Sequence, residues 1–332
     1  MAPTLPVQLV RLSEQQWRHV LANKTAALMI HGGGHVMLSR KDVRPQQTKI
    51  LLKAGFLPVS VDYRLCPEIN LLQGPMRDVC SALQWARNTL PTLRLRRADI
   101  HPNGDRVVAV GWSTGGHLAM TLAWTAPALG LAPPDALLAF YCPTDYEDPF
   151  WTQPNMPRGA GAAAAEVSYD LWEGVRDSPI TAYNPPASTR ALGGWLAPED
   201  PRSRICLHMN WKGQTVPILL NGLKLADRSQ NSVQTPPATE QVEAISPLAQ
   251  IRNGAYRTPS FIIHGTKDDL IPWQQAQRTY ETLCECGVEA ELRIVEGGVH
   301  LFDTSIGFER NEEAARAVRE GYEFLGRFVR GS

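Results

Sequence analysis

Short, nearly unbroken runs of apolar and β-branched residues recur along the first part of the chain: AALMIH at 26–31, LPVSVDY at 57–63, RVVAVGW at 106–112 and DALLAFYC at 135–142. Runs of this length without apolar–polar alternation suit strands buried on both faces, as in a parallel sheet. Between them lie helix-like stretches at 44–54, 75–90 and 114–127, the second opening on a proline. Proline suits a first helical turn, where its missing N–H costs nothing. The alternation predicts right-handed βαβ units in a doubly wound, mostly parallel α/β sheet.

From Pro143 to Arg257 the rhythm stops, and Pro, Gly and aromatic residues punctuate the sequence. The stretch holds Phe150, Trp151, Tyr169, Trp172, Trp195 and Trp211, and a run at 157–166 (PRGAGAAAAE) that reads as weakly ordered. A structureless loop of this size is implausible inside a folded domain, so 143–257 is read as an inserted subdomain. The α/β rhythm then resumes, with a strand at 260–265, a helix at 273–286, a strand at 289–295 and a helix at 308–329. Residues 1–142 and 258–332 thus form the core, and 143–257 a lid or specificity element.

Composition narrows the function classes. Lys plus Arg (33) equals Asp plus Glu (33), so no net field draws the protein to nucleic acid or to a charged membrane surface. No apolar run approaches the roughly 18 residues of a membrane span. The first residues lack the basic-then-apolar pattern of a secretory signal. The six cysteines (66, 80, 142, 206, 284, 286) are scattered, which fits reduced thiols and a cytoplasmic setting.

The candidate chemistry begins at Gly111-Trp112-Ser113-Thr114-Gly115, a G-x-S-x-G pattern between the run RVVAVG and a helix-like stretch. A serine on a sharp strand-to-helix turn is presented in strained geometry, with the free N–H groups of a helix start behind it. Upstream, His31-Gly32-Gly33-Gly34 follows the first strand run, and its glycines let backbone N–H groups close on one point. His31 reads as a residue that orients this loop, and His35 and His117 as structural or surface residues.

The HGGG sequence, Asp62-Tyr63-Arg64-Leu65-Cys66-Pro67-Glu68 and Gly115-Gly116 together resemble the hormone-sensitive-lipase-like branch of the α/β hydrolases, with Cys66 where that branch has alanine. The resemblance implies an α/β-hydrolase fold and an oxyanion hole from the N–H groups of Gly33, Gly34 and Thr114. His264-Gly265-Thr266-Lys267-Asp268 resembles the superfamily's acid-bearing segment and implies Asp268 as the acid, with the adjacent Asp269, a position more often solvent-facing, as its competitor. Gly297-Gly298-Val299-His300 resembles the loop that carries the base, which makes His300 the general base of Ser113. Only 30 residues precede His31, where that branch usually has a longer helical cap, so specificity falls to 143–257. Within that stretch, 177–186 (DSPITAYNPP) and 194–204 (GWLAPEDPRSR) resemble hydrolase and thioesterase domains of fungal polyketide pathways.

The reading is a serine hydrolase that cleaves or transfers an acyl group from an ester or thioester. Its substrate is a small-molecule acyl compound, carrier-bound if a thioester, and no cofactor is implied. Trp112, Asp145 and Tyr146, beside the nucleophile and after the fourth strand, are candidate substrate contacts. An amidase or arylformamidase would use the same triad, and a non-catalytic hydrolase-fold binding protein is a different class, though such proteins commonly lose the serine or histidine that this chain keeps. No His/Asp/Glu cluster has metal-ligand spacing, and no G-x-G-x-x-G opens the first βα unit, which disfavours a metal hydrolase and a dehydrogenase.

Overall fold

The computed structural model describes residues 7–9, 24–95, 100–156, 166–176, 180–185, 200–222, 235–304 and 311–329. The run at 157–165, Trp195, 177–179, 186–199 and the expected start of the last helix at 308–310 lie outside the described residues.

Among the described residues seven strands form one sheet in the order β1-β3-β2-β4-β5-β6-β7. They are β1 (Val7–Leu9), β2 (Lys24–Ile30), β3 (Leu57–Val61), β4 (Pro102–Trp112), β5 (Leu137–Phe140), β6 (Ser260–Lys267) and β7 (Ala290–Val299). Only β1 runs antiparallel, paired with β3, and the rest are parallel. Six strands match the apolar runs of the sequence. The edge strand β1 does not, because three residues are too few to carry a periodic signal.

Alternate strand residues feed two separate cores. Ala26, Leu28 and Ile30 pack on one side with α2 (Pro75–Asn88), α3 (Thr114–Ala128) and α9 (Trp273–Glu285). Ala27 and Met29 pack on the other with α1 (Pro45–Lys53) and α10 (Glu312–Arg327). This is a three-layer sandwich, and α3 is buried over most of its circumference. Between β5 and β6 the described residues form α4 (Tyr169–Arg176), α5 (Pro201–Trp211), α6 (Thr215–Asn221), α7 (Thr239–Ile245) and α8 (Pro247–Arg252), with no further sheet strand. An isolated bridge joins Leu38 to Tyr183. Among the described residues no helix is long and apolar enough to cross a membrane.

Strand order reverses between β2 and β4, with β3 on one side and β5 to β7 on the other. In open α/β sheets the crevice beyond the carboxyl ends of the strands at such a reversal is where ligands bind. The HGGG loop leaves β2 and Ser113 leaves β4 at that point, while Asp268 and His300 leave the same end of β6 and β7.

Candidate active site

Ser113 stands at φ 54° and ψ −130° between β4 and α3, a backbone conformation that costs a non-glycine residue about 1–3 kcal/mol. The turn closes only because its neighbours lack side chains. A Cβ on Gly111 would come within 2.0 Å of the Gly115 carbonyl oxygen, and one on Gly115 within 2.1 Å of that of Ile30. The Ser113 N–H bonds the Phe140 carbonyl at 2.9 Å, which fixes the turn to β5.

Ser113, Asp268 and His300 meet across 187 residues of sequence. His300 Nε2 lies 3.1 Å from Ser113 Oγ, and His300 Nδ1 lies 2.8 Å from Asp268 Oδ2. A carboxylate only accepts, so Nδ1 carries the proton and Nε2 is free to accept from the serine. Asp268 is fully tied. Its Oδ2 also accepts from His264 Nε2 at 3.1 Å, and its Oδ1 accepts from the Leu270 and Ile271 N–H groups at 3.0 and 2.9 Å. Burial alone would raise this carboxyl, but the facing His300 and the hydrogen bonds from His264 and His300 outweigh it and hold the group well below the ordinary carboxylate range. Asp269 is exposed. His264 was legible only as part of a motif, and its role as a second donor to the acid needed the fold.

The glycine loop has its own scaffold. Gly33 and Gly34 take positive φ, 103° and 65°, and a Cβ on Gly33 would sit 2.3 Å from the Met37 carbonyl oxygen. Tyr63 stacks on His31 at 4.2 Å and donates its hydroxyl to the His31 and Gly32 carbonyls at 3.0 and 3.1 Å. His31 Nδ1–H in turn donates to the Gly32 carbonyl at 2.8 Å. Arg202, fully buried on α5, donates to the Val36 and Cys66 carbonyls at 2.6 and 3.2 Å and pairs with Glu68. Thr114 is the first residue of α3, where an N–H has no partner within the helix. Among the described residues the N–H groups of Gly33, Gly34 and Thr114 have no hydrogen-bond partner.

These elements border a cleft of about 60 Å³. Its walls are apolar, with Trp151, Leu207, Met209, Leu219, Leu270 and Ile271, so helices α5 and α6 roof Ser113. Of the three expected substrate contacts, Tyr146 lines the cleft. Trp112 does not. Strand alternation turns its indole to the other face, where it stacks on Phe140 and donates to Gln47. Asp145 also faces away, pairing with Arg278 of α9. Neither His35 nor His117 is a surface residue, since both are fully buried.

A buried polar network backs His300. The Tyr141 ring meets the His300 ring edge-on at 4.9 Å, and its hydroxyl donates to Asp303 Oδ1 at 2.5 Å. Gln47 also donates to Asp303, Arg44 lies 3.5 Å from its other oxygen, and Tyr322 donates to Gln47 at 2.7 Å. Among the described residues no group of three or more His, Cys, Asp or Glu could hold a metal, and all six cysteines are free thiols.

A sheet of this topology with a nucleophile elbow at its strand reversal defines the α/β-hydrolase fold. Comparison with known proteins agrees: the family described as alpha/beta hydrolase fold matches residues 27–191, and the prolyl oligopeptidase family matches residues 222–331. The chain has the α/β-hydrolase fold. It is similar to the non-reducing polyketide synthase adrD of Penicillium rubens, 64% identical over 308 residues that make up 92% of this chain and 12% of that protein. The chain thus spans about an eighth of the length of the curated relatives it matches. Among solved structures, a Staphylococcus aureus protein of unknown function superposes with TM-score 0.63 at 16% identity, over 97% of this chain and 93% of that one. A thermophilic esterase of Thermogutta terrifontis gives 0.53 at 19% identity, over 98% and 95%.

Proposed function

We propose that the chain is a serine hydrolase that releases an acyl group from a thioester or ester through a Ser113 acyl-enzyme. The observation that carries this is the continuous pair of contacts, Ser113 Oγ to His300 Nε2 at 3.1 Å and His300 Nδ1 to Asp268 at 2.8 Å. Ser113 attacks the acyl carbonyl while its proton passes to His300. Asp268 holds the tautomer and stabilises the imidazolium. The carbonyl oxygen becomes an anion facing the N–H groups of Gly33, Gly34 and Thr114, each donor being worth roughly 10²–10³ in rate. Collapse breaks the bond to the leaving thiolate or alkoxide, which takes the proton from His300. A water, deprotonated by the same histidine, then cleaves the acyl-enzyme and frees the acid.

Similarity to polyketide synthases supports a polyketide-type acyl group held as a thioester on a carrier. The apolar cleft supports the same reading, because acyl pockets are mostly apolar with few polar anchors. Residues 143–257 then act as the specificity element, since α5 and α6 supply much of the wall. The test is labelling with a fluorophosphonate and mapping of the adduct. We expect a single adduct on Ser113 and none in Ser113→Ala; labelling that survives this substitution sinks the assignment.

A further inference from the structure

The apolar cleft contains one polar pair whose hydrogen bonding is unfinished. His35 and Tyr146 both line it, and His35 Nε2 lies 3.3 Å from the Tyr146 hydroxyl. His35 Nδ1 is buried with no partner. Two further polar side chains there are engaged: Thr114 Oγ1 accepts the His35 N–H at 3.2 Å, and Asn210 donates to the Leu270 carbonyl at 3.1 Å. The pair is held rigidly. His117 meets both rings edge-on, at 5.2 and 4.9 Å, and Trp151 packs on Tyr146 at 5.2 Å.

Neither ring is charged at neutral pH. Burial, with His117 and His31 nearby, holds His35 well below the ordinary histidine value, and burial holds His117 down to about 4. Burial likewise keeps Tyr146 a phenol. Two proton arrangements remain for His35. If Nε2 carries the proton it donates to the Tyr146 oxygen, and the Tyr146 O–H has no acceptor. If Nδ1 carries it, Tyr146 donates to Nε2 and the Nδ1–H is left without one. In the first arrangement the unspent donor is the hydroxyl of Tyr146, which lines the cleft, and an unspent donor there favours any ligand that offers an oxygen to it. The position matters too. His35 directly follows Gly34, and its N–H touches the residue after the nucleophile, so the donor sits next to the place of the reacting carbonyl.

We propose that His35 and Tyr146 form an oxygen-recognising subsite that selects acyl groups bearing a keto or hydroxyl oxygen near the β carbon. This rests on the acyl-enzyme reading above and names its substrate class. An unoxygenated acyl group leaves the donor unpaired, and a site built to bond an oxygen rejects analogues that lack it.

The probes are N-acetylcysteamine thioesters in matched pairs, 2-hydroxybenzoyl against benzoyl and 3-oxobutanoyl against butanoyl. The wild type should favour the oxygenated member by roughly tenfold or more in kcat/KM, and in Tyr146→Phe the ratio should fall toward one. A ratio near one in the wild type, or one unchanged in Tyr146→Phe, overturns the proposal. A second measurement needs neither turnover nor a variant: binding of free 2-hydroxybenzoate and benzoate to the wild-type chain by calorimetry. Preference for the hydroxylated acid supports the subsite even if no thioester is cleaved, in which case only the acyl-enzyme reading fails. Equal affinities overturn the subsite while leaving Ser113 labelling intact.

Discussion

Replacing Arg202 by methionine puts the support of the oxyanion loop to a quantitative test. Arg202 reaches from α5 into the core, where it is 0% exposed, to bond the Val36 and Cys66 carbonyls and Glu68. Its guanidinium lies over the Tyr183 ring at 5.3 Å. Methionine fills much of the volume but leaves Glu68, with its side chain 13% exposed, as an unpaired carboxylate. Removing one partner of a buried pair costs about 3–5 kcal/mol, a large part of a typical total stability of about 5–15 kcal/mol. The orphaned carbonyls are included in that range, because both losses occur at one site and do not add.

The loss should depend on pH. Burial lifts the Glu68 carboxyl above its ordinary range even with Arg202 opposing it, and without the arginine the lift grows. Between the unfolded and folded values the folded state holds a proton that the unfolded state has lost, so stability falls as pH rises through that window. The Arg202→Met deficit should therefore be largest near neutrality and shrink toward about pH 5. Adding Glu68→Gln removes the stranded charge and should recover about half. Urea unfolding followed by tryptophan fluorescence reads the change, and kcat on a thioester reports the loop. A deficit below about 1 kcal/mol, or one that neither acid nor Glu68→Gln relieves, refutes the reasoning.

Three further outcomes follow from the proposed triad and its donors. Asp268→Asn should cut kcat by roughly 10³–10⁴ with little change in KM, read by steady-state kinetics on an activated ester. Because the Asp268 carboxyl is held low in the folded chain, it stabilises above its unfolded value of about 3.9, and this is lost as pH falls through the folded value; the wild type should then lose stability below about pH 4 more steeply than Asp268→Asn. Gly33→Ala should lower kcat by roughly 10² or more through displacement of the loop, since its φ of 103° and the Met37 carbonyl at 2.3 Å leave no room for a methyl group; unchanged turnover argues that this N–H does not face the oxyanion.

The sequence revealed those parts of the molecule that depend on neighbours in the chain. Apolar runs such as 26–31 are strands because they are buried on both faces, and a glycine-flanked Ser113 after such a run has few alternatives. Asp268 and His300 lay within short loop motifs for the same reason. What stayed hidden was direction and distance. Adjacency to Ser113 drew attention to Trp112, but alternation along β4 sends that indole to the opposite layer. Asp145 stands just after the fourth strand, where a substrate contact is expected, yet Arg278, 133 residues away, claims it. In the sequence Arg202 is one charge within an irregular segment, and only its meeting with Glu68, 134 residues upstream, explains why it is buried. The Tyr322–Gln47 contact, 275 residues apart, has no sequence signal at all.

The network behind His300 divides labour between the two sides of the sheet. Asp303, three residues past the base, is gripped by Arg44 and Gln47 of the α1 region and by Tyr141 at the end of β5, none of which belongs to the helices that roof the cleft. On the proposed mechanism, alignment of the His300 ring is thus registered from the rear, whereas the acyl group is met from the front. A chain built this way can exchange its roof for another without resetting its base. Novelty in substrate then costs little in chemistry, and the residues that resist change should lie where no substrate ever reaches.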